Sequence, residues 1–270
     1  MGRLEGRTTL VTGASRGIGR GIATRAAAEG ARLAITARTL DHHPTLPGSL
    51  NDTAQRCRAL GAEVVVLVGD IASDVDRERI VTETTEQLGP IEVLVNNAAA
   101  AIYQPLFDYP LKRQRLMTEI NVHAPLHLTQ LVLPSMIDKG EGWVVNLSSG
   151  SKNHPEGPPY DQGGVRGTFG FYAGTKAMLD RISTALAFEH HQHGVRVNTV
   201  EPRAAVMSEG AEKQVGGMLR ADQIETMEEM VESVLFLCDC GPDHTGRNEV
   251  SLDVIEEHNL TVSRLDGTHP

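Results

Sequence analysis

A chain of 270 residues with 25 Lys and Arg against 35 Asp and Glu has a formal net charge of -10. That balance argues against nucleic acid or an anionic membrane as partner and points to a small molecule. Three cysteines, Cys57, Cys238 and Cys240, are odd in number and lack C-x-x-C spacing, so neither a disulfide framework nor a metal site is expected. The opening "MGRLEGRTT" is not an apolar leader and no run of about 18 apolar residues occurs, so the expected location is the cytoplasm.

"TTLVT" (Thr8 to Thr12) is the first predicted strand, and the turn "TGASRGIG" leads from it into a helix over Gly17 to Glu29. A second strand, "RLAIT" (Arg32 to Thr36), is followed by a Pro- and His-rich loop (Arg38 to Ser49) and a helix over Ser49 to Leu60. Next come a strand at Glu63 to Val68, a helix at Val75 to Leu88, a strand at Glu92 to Asn96 and one long helix from Leu111 to Lys139. "WVVNL" (Trp143 to Leu147) precedes a long loop, Lys152 to Gly170, then a helix over Tyr172 to His193 and a strand at Val195 to Val200. Gly30, Gly61, Gly89, Gly140 and Gly194 stand just past helix ends as stop signals. Short apolar strands alternating with helices predict parallel strands joined by crossover helices. The expected fold class is α/β: a single-domain doubly wound sheet of about seven strands with helices on both faces.

Gly13, Gly17 and Gly19 sit where the first strand turns into a helix. There glycine permits positive φ and close backbone approach, and the helix start offers N–H groups to a pyrophosphate. An acid that would accept a ribose 2′-OH is missing at Ala37, while Arg38 follows it and Arg16 lies inside the turn, a pair suited to fork a 2′-phosphate. T-G-x-x-x-G-x-G, "VGD" ending in Asp70 and "NNAA" (Asn96 to Ala99) resemble the short-chain dehydrogenase/reductase family over about Leu4 to Val250.

That resemblance implies a Rossmann-type domain with a cofactor-binding half (1–140) and a catalytic half (141–270). The cofactor expected is NADP(H), held by Gly13, Ser15, Arg16, Gly17, Ile18, Gly19, Arg38, Asp70, Ile71, Asn97, Ala98, Tyr172, Lys176, Pro202 and Ser208. Of the four tyrosines only Tyr172 has a lysine four residues on, Lys176, which shares its helix face and could stabilise a phenolate. By resemblance, Tyr172 is the general acid/base, Lys176 lowers its pKa, Ser149 polarises the carbonyl with Ser148 as fallback, and Asn121 holds a water in a proton path. The implied reaction is hydride transfer between nicotinamide and a carbonyl or alcohol. A non-catalytic NADP-binding sensor is the alternative, and an epimerase or dehydratase of longer related families the other rival.

Several features depart from the family pattern. Arg203 follows Pro202 where glycine is usual, Met207 replaces a common threonine with Ser208 as candidate substitute, a D-G-G ending is missing, and the approach to Tyr172 is long. The Lys152 to Gly170 loop is expected to be a substrate lid, with His154, Tyr160 and Arg166 reaching a polar substrate group and Gly163, Gly164, Gly167 and Gly170 acting as hinges. "HHQH" (His190 to His193) and "DHH" (Asp41 to His43) are not read as ligands, because neighbouring side chains diverge. Met207, Met218, Met227 and Met230 are expected in core or lid packing, and Glu225, Glu228, Glu229 and Glu232 on a solvated helix face. A homodimer or homotetramer is expected from apolar residues beyond one stripe on the Leu111 to Lys139 and Tyr172 to His193 helices, together with the family's habit of pairing them.

Overall fold

The computed structural model describes residues 2–160, 166–203, 205–209 and 224–269. Its strands are β1 (Thr8–Thr12), β2 (Arg32–Ala37), β3 (Val64–Val68), β4 (Val93–Asn96), β5 (Gly142–Leu147), β6 (Val195–Glu201), β7 (Ala205–Val206), β8 (Ile224–Glu225) and β9 (Asn248–Val250). Among the described residues seven of them form one parallel sheet in the order β3-β2-β1-β4-β5-β6-β9, and β7 pairs with β8. The fold is the Rossmann-like one expected. β1 lies between β2 and β4, so the order reverses there and a crevice opens beyond the carboxyl ends of these strands.

Both faces of the sheet are apolar because both are covered. Val11, Leu33, Val95 and Val145 face α1 (Gly17–Ala28), α2 (Leu50–Ala59) and, from late in the chain, a helix at Met227–Leu237. Leu10, Ala34, Leu94 and Val144, one residue out of phase, face α3 (Asp74–Leu88) and two further helices, Ala124–Lys139 and Gly170–His190. In chain order the helices after α3 are α4 (Leu111–Thr118), α5 (Ala124–Lys139), α6 (Gly170–His190), α7 (Met227–Leu237) and α8 (Ser251–Glu257). Side chains cap the starts of α2 and α7: Ser49 accepts from Asp52 N–H at 3.0 Å, and Thr226 and Glu229 close a capping box. A cap is worth about 1 kcal/mol and a buried Leu, Ile or Val about 1.5–3 kcal/mol, so packing on the sheet decides where these helices lie.

Three expectations need correction. The helix expected over Leu111 to Lys139 is interrupted by a π turn at Glu119–His123, where Pro125 brings no N–H to the ladder. Glu225 and Glu232 are not on a solvated face. Glu225, 3% exposed in β8, accepts from Arg203 N–H and Ser251 Oγ, and Glu232, 1% exposed, pairs with Arg3 and Arg25. The sheet also ends in β9, beyond the last predicted strand: three short residues show too little periodicity to be read alone. Met230 is buried in the core and Met227 packs against it, whereas Met218 lies outside the described residues.

Candidate active site

Two cavities open beyond the strand ends. The larger, about 650 Å³, is walled by the glycine turn, the end of β2, Asp70, Ile71 and Asn97; the smaller, about 370 Å³, by Ser149, Tyr172 and Lys176. They share Ile18, Asn97, Ala99 and Ser208 as a common wall. Every residue expected to hold the cofactor lines one or the other, with Tyr172, Lys176 and Pro202 in the smaller.

The glycines are required by close packing. Gly13 has φ +68°, and a Cβ there would come within 2.9 Å of Ala98 Cα; a Cβ on Gly19 would stand 2.3 Å from Asn97 Nδ2. Asn97 Nδ2 donates to Thr12 O at 2.8 Å, and Thr12 Oγ1 accepts from the N–H groups of Asn97 and Ala98 at 3.0 and 3.1 Å. The end of β4 is thereby fastened to the glycine turn. One of the turn's donors is already answered: Gly17 N–H donates to Glu209 Oε2 at 2.9 Å, and Arg20 pairs with the same carboxylate at 2.5 Å. A carboxylate standing on this N–H marks the spot as fit for an anion such as a pyrophosphate.

Besides lining the larger cavity, Arg16 contacts the loop after β2. Its Nε donates to Pro47 O at 3.0 Å and its Nη2 to Gly48 O at 3.1 Å, so it braces the loop after β2. Arg38 has a 71% exposed side chain and lies 3.9 Å from Asp70 across the larger cavity.

Tyr172 sits in the first turn of α6, and Lys176 one turn later. Tyr172 and Ser149 line the same cavity, and Ser149 Oγ lies 3.0 Å from Ser151 Oγ. Burial pushes the phenol up to about 12, the neighbouring Tyr103 adds to this and the Ser149 hydroxyl opposes it. The expected lowering by Lys176 is not the governing effect: its Nζ donates to Leu147 O at 2.6 Å and lies 5.9 Å from the Tyr172 ring centroid. Burial pulls Lys176 itself down to about 8, with Asp180 opposing and Lys152 adding to the fall. Ser148, the fallback, lines the same cavity with a buried Oγ that has no hydrogen-bond partner among the described residues.

Asn121, in the π turn, uses both ends of its amide. Its Oδ1 accepts from Ala100 N–H at 2.8 Å, and its Nδ2 donates to Ala100 O at 2.8 Å and Thr175 Oγ1 at 3.0 Å. These bonds clamp the stretch after β4 to α6 beside Tyr172.

His154 and Tyr160 are exposed and line neither cavity. Gly163, Gly164 and the Arg166 side chain lie outside the described residues. The smaller cavity is instead walled by residues the sequence did not single out for it, among them Ala101, Tyr103, Leu147 and Val206. Tyr103 packs edge-on against Tyr172 with ring centroids 5.8 Å apart. Its position seven residues past Asn96 carries no pattern that could have revealed this contact.

A model of the short chain dehydrogenase family matches residues 7–215. The chain belongs to the short-chain dehydrogenase family. Members of this family are oxidoreductases that use a nicotinamide cofactor. The chain is 27% identical over 272 residues to hydroxysteroid dehydrogenase-like protein 2 of Danio rerio, covering 100% of this chain and 63% of that protein, so it spans less than two thirds of that curated relative. A crystal structure of a short chain dehydrogenase from Mycobacterium thermoresistibile superposes on it with a TM-score of 0.81 at 29% identity, over 95% of this chain and 89% of the other. A metagenomic short-chain oxidoreductase in complex with NADP gives a TM-score of 0.74 at 25% identity, over 92% and 98%.

Proposed function

We propose that this short-chain dehydrogenase is NADP(H)-dependent and interconverts a carbonyl and an alcohol, with Tyr172 as general acid/base. The observation that carries the reading is the convergence of Tyr172, Ser149 and Lys176 in the wall of one cavity that adjoins the glycine turn. When bound, the nicotinamide supplies or accepts the hydride. Ser149 and Tyr172 orient the substrate oxygen between their hydroxyls. Held up at about 12, the Tyr172 phenol keeps its proton at neutral pH, the form that donates to a developing alkoxide in the reducing direction. Lys176 supplies a positive charge behind it, and Asn121 keeps the stretch after β4 in register with α6. Ala101, Tyr103, Leu147, Val206 and Met230 make an apolar wall, which suits a carbonyl borne on an apolar group. NADP(H) is favoured over NAD(H) by Arg38, by the missing acid at Ala37 and by the NADP bound to a structural neighbour. The whole chain is read as one domain in the cytoplasm that assembles as a dimer or tetramer.

A panel of ketones and aldehydes followed by NADPH absorbance tests the activity. Tyr172→Phe should lower turnover by about a hundredfold or more while cofactor affinity stays within about twofold, and Tyr160→Phe should be near wild type. A dead Tyr160→Phe with an active Tyr172→Phe would refute the assignment.

A further inference from the structure

The loop between β2 and α2 is folded back onto the cofactor cleft. Its two limbs are tied at the base by Leu50 N–H to Thr39 O at 3.0 Å and Asn51 N–H to Leu40 O at 3.1 Å. Its returning limb presses on the glycine turn: Gly48, at φ +92°, leaves room for no side chain, since a Cβ would stand 2.7 Å from Ser15 O. Arg16 clamps that limb through Pro47 O and Gly48 O. At the tip, His42, His43 and Pro44 join Arg16, Arg38 and Thr39 in the wall of the 650 Å³ cavity.

The tip has an ordered geometry. His43 Nδ1 accepts from the N–H groups of Thr45 and Leu46, both at 3.2 Å, so the neutral ring carries its proton on Nε2 and that nitrogen is a donor in either protonation state. The loop's acid, Asp41, is engaged by Asn51 Nδ2 at 2.5 Å. The arginines leave donors to be supplied here, because Arg16 directs two of its nitrogens at the loop and Arg38 has Asp70 within 3.9 Å.

Resting on the NADP(H) reading above, we propose that His42 and His43 complete the subsite for the cofactor's 2′-phosphate and so determine the preference for NADPH over NADH. A phosphomonoester takes charge-assisted hydrogen bonds from imidazole donors that a ribose hydroxyl cannot match. Arg16 then acts as a positioning residue that presents the loop.

Binding titrations of the full chain with NADPH, NADH, 2′-AMP and 5′-AMP test this. Wild type is compared with His42→Ala, His43→Ala and His43→Asn, the last keeping a side-chain oxygen for the tip's N–H groups while removing the distal donor. NADPH and 2′-AMP should weaken by about tenfold in the His43 variants and by a smaller factor in His42→Ala, with NADH and 5′-AMP changed by less than about twofold. Equal losses for the phosphorylated and unphosphorylated ligands, or wild-type NADPH affinity in His43→Asn, would overturn the proposal. If wild type itself binds NADPH and NADH alike, the cofactor reading fails and the proposal with it; if wild type discriminates and the variants discriminate equally well, the proposal alone fails.

Discussion

Glu209 and Lys176 each carry a charge whose surroundings set a measurable outcome. Glu209 holds the Gly17 N–H and pairs with Arg20, so it competes with any anion brought to the glycine turn. Glu209→Gln removes that competing charge and should tighten NADPH binding by about threefold or more, read by fluorescence titration. An unchanged or weaker affinity would show that the carboxylate does not contest the site. Lys176 is 3% exposed, and burial holds its ammonium near 8 against an ordinary 10.5. Between these values the unfolded chain binds a proton that the folded chain has lost, so this group's contribution to stability rises with pH across the window. Its burial cost is present in full below about pH 8. Urea unfolding of wild type and Lys176→Met should show wild type gaining up to about 3 kcal/mol on the variant between about pH 7 and about pH 10. A gap independent of pH would contradict the burial assignment.

The segment from Lys152 to Gly170 is fastened at both described ends beside the reacting groups. Lys152 forms ion pairs with Asp180 on α6, at 2.8 Å, and with Glu201 at the end of β6. On the return, Gln104 N–H donates to Thr168 O at 3.1 Å and Phe169 packs against Tyr103 at 4.9 Å. Both described ends of the segment are thereby anchored near Tyr172, which supports its reading as a lid. Replacing residues 153–168 with a short Gly/Ser connector should leave NADPH affinity unchanged and raise the KM for the carbonyl substrate by about threefold or more. Unchanged kinetics on the best substrate would reduce the segment to a tolerated surface insertion.

Across the whole molecule, α4 and α6 keep apolar side chains in water: Leu111 and Leu116 on the first, Met178 and Phe188 on the second, with Phe188 79% exposed. Exposed apolar residues on these two helices support an association surface. Light scattering should give a mass twice or four times 29.2 kDa, and Phe188→Glu should lower it. A single species of 29.2 kDa in the wild type would refute the assembly.

Much of this architecture was legible in the chain because it depends on neighbours a few residues apart. Strand and helix periods, glycines at Gly140 and Gly194 with φ +72°, and the i,i+4 pair Tyr172 and Lys176 are local signals. Together they predicted the parallel sheet, and the motifs they place on it carried the family resemblance. What Arg16, Asn121 and Glu209 do was not legible, since each is decided by partners distant in sequence: Arg16 by Pro47 and Gly48, Asn121 by Ala100 and Thr175, Glu209 by a glycine 192 positions away. Burial likewise overrode composition at Glu225 and Glu232, whose charges look solvated until β8 and α7 are docked. Local sequence thus determined which elements form and in what order. Only their packing decided which side chains meet, because a hydrogen bond or a buried charge is satisfied by whatever the folded chain brings within reach, irrespective of distance along it.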